Sequence, residues 1–234
     1  MNKVFLASIL STNMILPASW TVNSLPPDTL RKVEKSIVRI NHPVQAVNFF
    51  TGEVITFYAT CTGFVIKNDR NFVEGDVVEF SYILTANHCM PDAPAVDEQP
   101  APIIVDVYWP AEVVKVDVVN DLALIKANLT KPYLKSRQGS VTRGMPVFSF
   151  GYGYGLDTHL FLSHIVAAPL AVIDEGLPAG MLLSPGFVPG MSGGPVVDDM
   201  GRIVSIVQAG TSHGIGYGAS LNVIKLFVGD YWGR

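Results

Sequence analysis

The chain has 234 residues, 49% hydrophobic and 15% charged, a core-forming composition that suits one large domain or two small lobes and excludes a disordered chain. A formal net charge of -4 and a pI near 5.7 give no positive surface field for a phosphate backbone, which excludes nucleic acid as a partner. The two cysteines, Cys61 and Cys89, are too few for a metal cluster and neither lies in a C-x-x-C pair, so a disulfide and two free thiols both remain open.

The first element is the N-terminus. Met1-Asn2-Lys3 is a basic start, residues 4–10 are apolar apart from Ser8, and Ala18-Ser19 supplies small residues at a cleavage point, so residues 1–19 read as an export signal. An uncleaved anchor and an ordinary N-terminal segment are the other readings. The apolar run falls short of the roughly 20 residues that a spanning helix needs, so no stable membrane insertion is expected after cleavage. Export predicts a secreted or periplasmic protein, where disulfides persist.

Residues 20–35 form a lead-in whose prolines at 26 and 27 and apolar Leu30, Val33 and Ile37 at helical spacing predict a short helix. From 36 to 130 the chain is a series of β-branched runs at 54–58, 61–66, 77–86, 103–109, 112–119 and 122–126, separated by turn residues. Residues 131–144 are polar and rich in helix and strand breakers, and predict a crossing between lobes. Strand-like runs resume at 145–150, 160–167, 181–184, 195–197, 203–208 and 215–219. This rhythm predicts an all-β sandwich or barrel architecture. Leu221, Ile224, Phe227, Val228 and Tyr231 then share one face of a closing helix within 220–234.

Three segments carry the chemistry. Gly190-Met191-Ser192-Gly193-Gly194-Pro195 places a serine between glycines, where a sharp turn brings backbone amides close to a bound group. A serine hydroxyl is a weak nucleophile and needs a base, and the base needs an orienting group. Upstream, Tyr82-Ile83-Leu84-Thr85-Ala86-Asn87-His88-Cys89 ends an apolar run in a histidine, and Asn120-Asp121-Leu122-Ala123-Leu124-Ile125 opens one with an acid. His42, His159, His164 and His213 are rival bases and Asp117 a rival acid, but none of them sits in such a context.

In the order His, Asp, Ser, these blocks resemble the chymotrypsin-like (trypsin-like) serine proteases, whose consensus reads T-A-x-H-C, D-x-A-L-I and G-x-S-G-G-P. The resemblance implies two six-stranded antiparallel β-barrels, at 36–130 and 145–219. It also implies a catalytic triad of His88, Asp121 and Ser192, with an oxyanion hole made by the amides of Gly190 and Ser192. It further implies a Cys61–Cys89 disulfide, which would brace the histidine loop by about 3 to 4 kcal/mol in the chain-entropy model. The implied specificity pocket is formed by Gly186, Phe187, Gln208, Ala209 and Gly210. No charge stands there, so an apolar side chain before the scissile bond is expected.

Residues 214–225 further resemble HtrA-type bacterial proteases, although the sequence stops soon afterwards with no room for a PDZ domain. Met191 stands where digestive proteases carry an aspartate, so activation by a buried N-terminal ammonium is not expected. Gly151-Tyr152-Gly153-Tyr154-Gly155 fails the G-x-G-x-x-G pattern at Leu156 and is given a structural role only. The expected activity is that of a serine endopeptidase acting on protein or peptide, with no metal and no organic cofactor. A catalytically silent binding module, an esterase, and a viral or phage precursor-processing protease are the alternatives.

Overall fold

The computed structural model describes residues 24–73, 76–91, 102–106, 108–171, 180–211 and 214–232. The export segment at 1–19 and His213 lie outside these. A helix α1 (Pro27–Ser36) precedes twelve strands: β1 (Ile37–Val47), β2 (Val54–Val73), β3 (Asp76–Thr85), β4 (Ile103–Val105), β5 (Trp109–Asp117), β6 (Leu122–Ala127), β7 (Pro146–Gly151), β8 (Leu160–Ala171), β9 (Gly180–Ser184), β10 (Pro195–Val197), β11 (Ile203–Gly210) and β12 (Gly216–Ser220). A second helix, α2 (Leu221–Val228), follows them. The strands close into two antiparallel barrels, ordered β1-β2-β3-β6-β5-β4 and β10-β11-β12-β9-β8-β7. The all-β, two-barrel fold with a helix near each end is therefore the one observed. Among the described residues no helix is long and apolar enough to cross a membrane.

Local chemistry explains the ends of the helices. Pro27 opens α1, where its missing N–H breaks no helical bond. Ser220 caps α2 by accepting from the Val223 amide, and Gly229 at φ 55 ends that helix in a conformation that disfavours larger residues. The closing helix is consequently shorter than its apolar stripe predicts, with one 3-10 turn at Gly229–Tyr231 continuing it.

One strand departs from the sequence pattern. The runs at 54–58 and 61–66 read as two strands, yet β2 is continuous over 20 residues. Its first half pairs with β1, from Val54↔Val47 to Phe64↔Ile37, and its second half with β3, from Phe64↔Leu84 to Val73↔Asp76. A bulge between Val65 and Lys67 bends the strand where it changes partner. The ladder with β1 carries it through Ala59 and Thr60, the break between the two runs.

Each barrel has its own apolar interior, with Ile40, Val65, Ile83 and Ile125 in the first and Val147, Val166, Leu183 and Val204 in the second. A larger core lies between them. It joins Phe64, Leu84 and Leu124 from the first barrel to Phe148, Phe150 and Ile206 from the second, and is closed by Val33 of α1 and Ile224 and Phe227 of α2. The crossing segment follows the same seam: the amide of Leu134 donates to Val65 O, and that of Arg137 to Ile203 O. The two lobes are thus held at a common face, and residues at that face take fixed relative positions. Phe64 is fully buried in the shared core, so Phe64→Ala should lower the unfolding free energy by about 3 to 5 kcal/mol, read as a shift of the urea midpoint.

Candidate active site

His88 lies on a single 3-10 turn, Asn87–Cys89, directly after β3. The turn leaves the barrel from a firm base, because the buried Thr85 hydroxyl donates to Thr62 O at 2.8 Å and ties the end of β3 to β2. Cys89 is bonded to Cys61 of β2 across a sequence separation of 28. The histidine turn is therefore fastened to the barrel on both sides. Removing the bridge with Cys61→Ser and Cys89→Ser should cost about 3 to 4 kcal/mol of stability in denaturant titrations under oxidising conditions.

Asp121 adopts φ 50, in the left-handed region that aspartate tolerates better than most residues. This sharp turn before β6 aims its carboxylate at the histidine turn. Oδ1 accepts from the His88 backbone amide and Oδ2 pairs with His88 Nδ1, both at 2.8 Å. A carboxylate only accepts, so Nδ1 carries the proton and Nε2 is left with its lone pair, the form of imidazole that can act as a base. Asp117 has a different job: its two oxygens take the amide and side-chain N–H of Asn120, shaping the turn that presents Asp121.

Gln208 connects this turn to the other lobe. A bulge lies in β11 between Val207 and Ala209, and the buried Gln208 side chain reaches the first barrel, where Nε2 donates to the carbonyls of Asn120 at 2.6 Å and Asp121 at 3.0 Å. Its sequence pattern suggests only a pocket wall. The strut between barrels becomes visible only with the fold.

Ser192 sits in the turn before β10. The Thr62 amide donates to Ser192 O at 2.8 Å, so the serine turn of the second barrel is fastened to β2 of the first. The glycines around it are required. At Gly193, φ +80, a Cβ would fall 2.2 Å from both Thr62 O and Thr85 Oγ1; at Gly190, φ +89, it would fall 2.3 Å from Tyr152 O. Met191 is fully buried among Val147, Val166 and Val207, which makes it an anchor of the turn.

Hydrogen bonding divides the amides of this turn into two groups. Met191 donates to Val188 O at 3.2 Å, Gly193 to Val207 O at 2.7 Å and Gly194 to Met191 O at 2.9 Å. The N–H groups of Gly190 and Ser192 have no such acceptor among the described residues. Both residues are half-buried, so these two N–H groups, on either side of Met191, are open to an external acceptor. No hydrogen bond joins the Ser192 hydroxyl to the His88 ring among the described residues; the structure directly bonds only the His88–Asp121 pair.

A cavity of about 250 Å³ opens beside Ser192. Phe187, Gln208, Ala209 and Gly210 line it, together with Val188 and Val207, and none of these is charged. Gly186, also expected here, is not among the residues that line it; a Cβ there would meet the backbone of Gly214 and Ile215 at 3.0 to 3.1 Å.

Behind Phe187 stands a residue with no role in the sequence reading. His164 of β8 is buried, its Nδ1–H donates to Pro185 O at 2.7 Å, and its Nε2 accepts a hydrogen bond from the Ser149 hydroxyl at 2.6 Å. The Phe187 ring meets it edge-on, with centroids 5.0 Å apart. The alternation of β8 was the available signal, since His164 shares the inward parity of Leu162 and Val166. Burial pushes the His164 pKa below the ordinary 6.5, with the Pro185 carbonyl opposing the shift. The unfolded chain thus binds a proton that the folded chain refuses, so stability is full above about pH 6.5 and falls below it, by up to about 1.4 kcal/mol per pH unit. His164→Gln should flatten this acid slope in urea titrations, while burial shifts His159 in the same direction in both proteins, so the difference isolates His164.

The donor atoms of Cys61, His88 and Cys89 lie within 4.8 Å of one another. Both sulfurs are in the disulfide, which offers no thiolate, so the set does not fit a metal ion.

Residues 61–206 match the trypsin-like peptidase domain, more than half of the chain, and the chain belongs to that family. It is similar to the magnetosome formation protease MamE of Paramagnetospirillum magneticum, at 28% identity over 179 residues that make up 72% of this chain and 23% of that protein. It is equally similar to MamE of Magnetospirillum gryphiswaldense, at 28% over 180 residues, 72% of this chain and 22% of that one. The chain therefore spans less than a quarter of the length of these relatives. Among solved structures, a variant of the HtrA-type protease AlgW with a decapeptide matches with a TM-score of 0.65, over 84% of this chain and 63% of that one. At 18% identity this likeness concerns the fold alone.

Proposed function

We propose that this chain is a serine endopeptidase in which Ser192 attacks a peptide carbonyl. His88 Nε2 takes the hydroxyl proton and returns it to the leaving amine, releasing the C-terminal product and leaving an acyl-enzyme. Water, deprotonated by the same nitrogen, then releases the acyl group. Asp121 keeps the proton on Nδ1 and stabilises the imidazolium. The N–H groups of Gly190 and Ser192 receive the oxyanion. The observation that carries this reading is the pairing of a correctly protonated base, held by Asp121 at 2.8 Å, with two unpaired amides around a serine.

The uncharged cavity beside Ser192 supports an apolar side chain before the scissile bond, because a lysine or arginine there would lose water with no carboxylate to replace it. The Cys61–Cys89 bond and the basic-then-apolar N-terminus support an exported protein. A binding module with the same fold is favoured by one observation, the missing Ser192–His88 hydrogen bond. In unliganded sites such bonds are often long and tighten only with substrate, so we place the catalytic reading first.

Profiling against a peptide library tests chemistry and pocket together. The wild type should cleave after apolar residues. Ser192→Ala should lose about 10⁶-fold in kcat, and Asp121→Asn, which leaves the wrong ring nitrogen protonated, about 10⁴-fold. Wild-type protein that neither cleaves peptides nor accepts a fluorophosphonate on Ser192 would establish the binding module instead.

A further inference from the structure

The Gly151–Gly155 loop has no chemical role by sequence, yet it is built against the serine turn. A trans peptide points its C=O and its N–H in opposite directions. The Tyr154 amide donates to Pro189 O at 2.6 Å, so the N–H of the same peptide, that of Gly190, is aimed away from the loop. The peptide that supplies the Ser192 amide is fixed likewise, with its carbonyl, Met191 O, taking the Gly194 amide at 2.9 Å. The loop that aims Gly190 must itself be held, because Tyr154 is at φ 56, in the left-handed region, and its side chain is exposed.

The first barrel holds that loop at both ends. At one end the Thr62 hydroxyl accepts from the Tyr152 amide at 3.0 Å and donates to Gly190 O at 2.8 Å. At the other, Arg39 of β1 reaches over: Nη2 donates to Gly155 O at 3.1 Å and to Thr60 Oγ1 at 3.2 Å, and Nη1 pairs with Asp157 at 2.8 Å. Arg39 is fixed in turn, since its own amide donates to Asp106 Oδ1 and it pairs in register with Thr62. The guanidinium is the right group for this task, presenting several donors in a rigid fork where an ammonium is a single point.

We infer that Arg39 is a positioning residue for catalysis: by clamping the Gly153–Gly155 turn through Gly155 O, it keeps the Tyr154 amide on Pro189 O and so holds the Gly190 N–H in its oxyanion-binding direction. The inference rests on the endopeptidase reading. It gives the chain a cross-barrel device for organising that donor in the absence of an acid beside Ser192, where the buried Met191 offers no partner for an ammonium.

The test uses the full chain with Arg39→Met and Arg39→Lys, a peptide that the wild type cleaves, and amide hydrogen exchange by NMR. R39M should lower kcat about 10- to 100-fold, a part of the 10² to 10³ lost when a donor is removed outright, with KM within about twofold of wild type. The Tyr154 amide should exchange faster while the Gly193 amide, bonded to Val207 O, keeps its protection. R39K should fall between the two. Full kcat in R39M, or loss of protection at Tyr154 and Gly193 together, would show that Arg39 is only structural. Should R39M fail to fold, R39K carries the same readouts: a lowered kcat with Tyr154 alone deprotected supports the clamp, and a wild-type kcat overturns it. An inert wild type that takes no fluorophosphonate sinks the endopeptidase reading and the catalytic meaning of the clamp with it, whereas an active wild type with an indifferent Arg39 sinks the clamp alone.

Discussion

The serine turn belongs to the second barrel by sequence and to the first by its hydrogen bonds. Thr62 of β2 gives its amide to Ser192 O and its hydroxyl to Gly190 O, and Gly193 fits only because nothing larger could lie against Thr62 O and Thr85 Oγ1. Every other feature of the site depends on this contact. It sets where Ser192 stands relative to the turn carrying His88, which is fastened to the same strand through Cys61–Cys89. The large apolar core between the lobes makes the contact durable, since separating the barrels would expose Phe64, Phe148 and Phe150 to water.

The polar groups at the seam work by orientation more than by strength. Asp121 takes both an amide and a ring nitrogen of one residue, which leaves His88 a single tautomer. Gln208 reaches back from the second barrel to the carbonyls of the Asp121 turn, so the acid is steadied by the lobe that carries the serine. His164 acts further away. It stays neutral in a buried site, joins β7 to the Pro185 carbonyl, and gives Phe187 a ring to rest on at the cavity wall. The turns carrying His88 and Ser192 and the cavity wall thus each have a support that spans two elements.

Much of this was legible in the chain. The alternation of β-branched runs with turn residues marked most of the strands, and the local context of His88, Asp121 and Ser192 separated them from four other histidines and from Asp117. Asp117 shows why context outweighs residue type: it lies four positions away with the same carboxylate, and the fold uses it to shape a turn. The strand pattern failed at Ala59 and Thr60, because the ladder with β1 carries the strand across that break. The burial of Met191 and the second role of Gln208, which lines the expected cavity and also holds the Asp121 turn, are not written in their neighbours.

By itself, then, the sequence determined a chain of short strands for a sandwich or barrel and the local contexts of His88, Asp121 and Ser192, because periodicity and motif spacing are local; the pair of six-stranded barrels was what the family resemblance implied. The tertiary structure decided which way each peptide points and which remote residue keeps it there: Tyr154 on Pro189, Arg39 on Gly155, Gln208 on Asp121. Those pairings join residues 35, 116 and 87 positions apart through single hydrogen bonds. A hydrogen bond depends on direction and on a few tenths of an ångström, and only a closed fold specifies either.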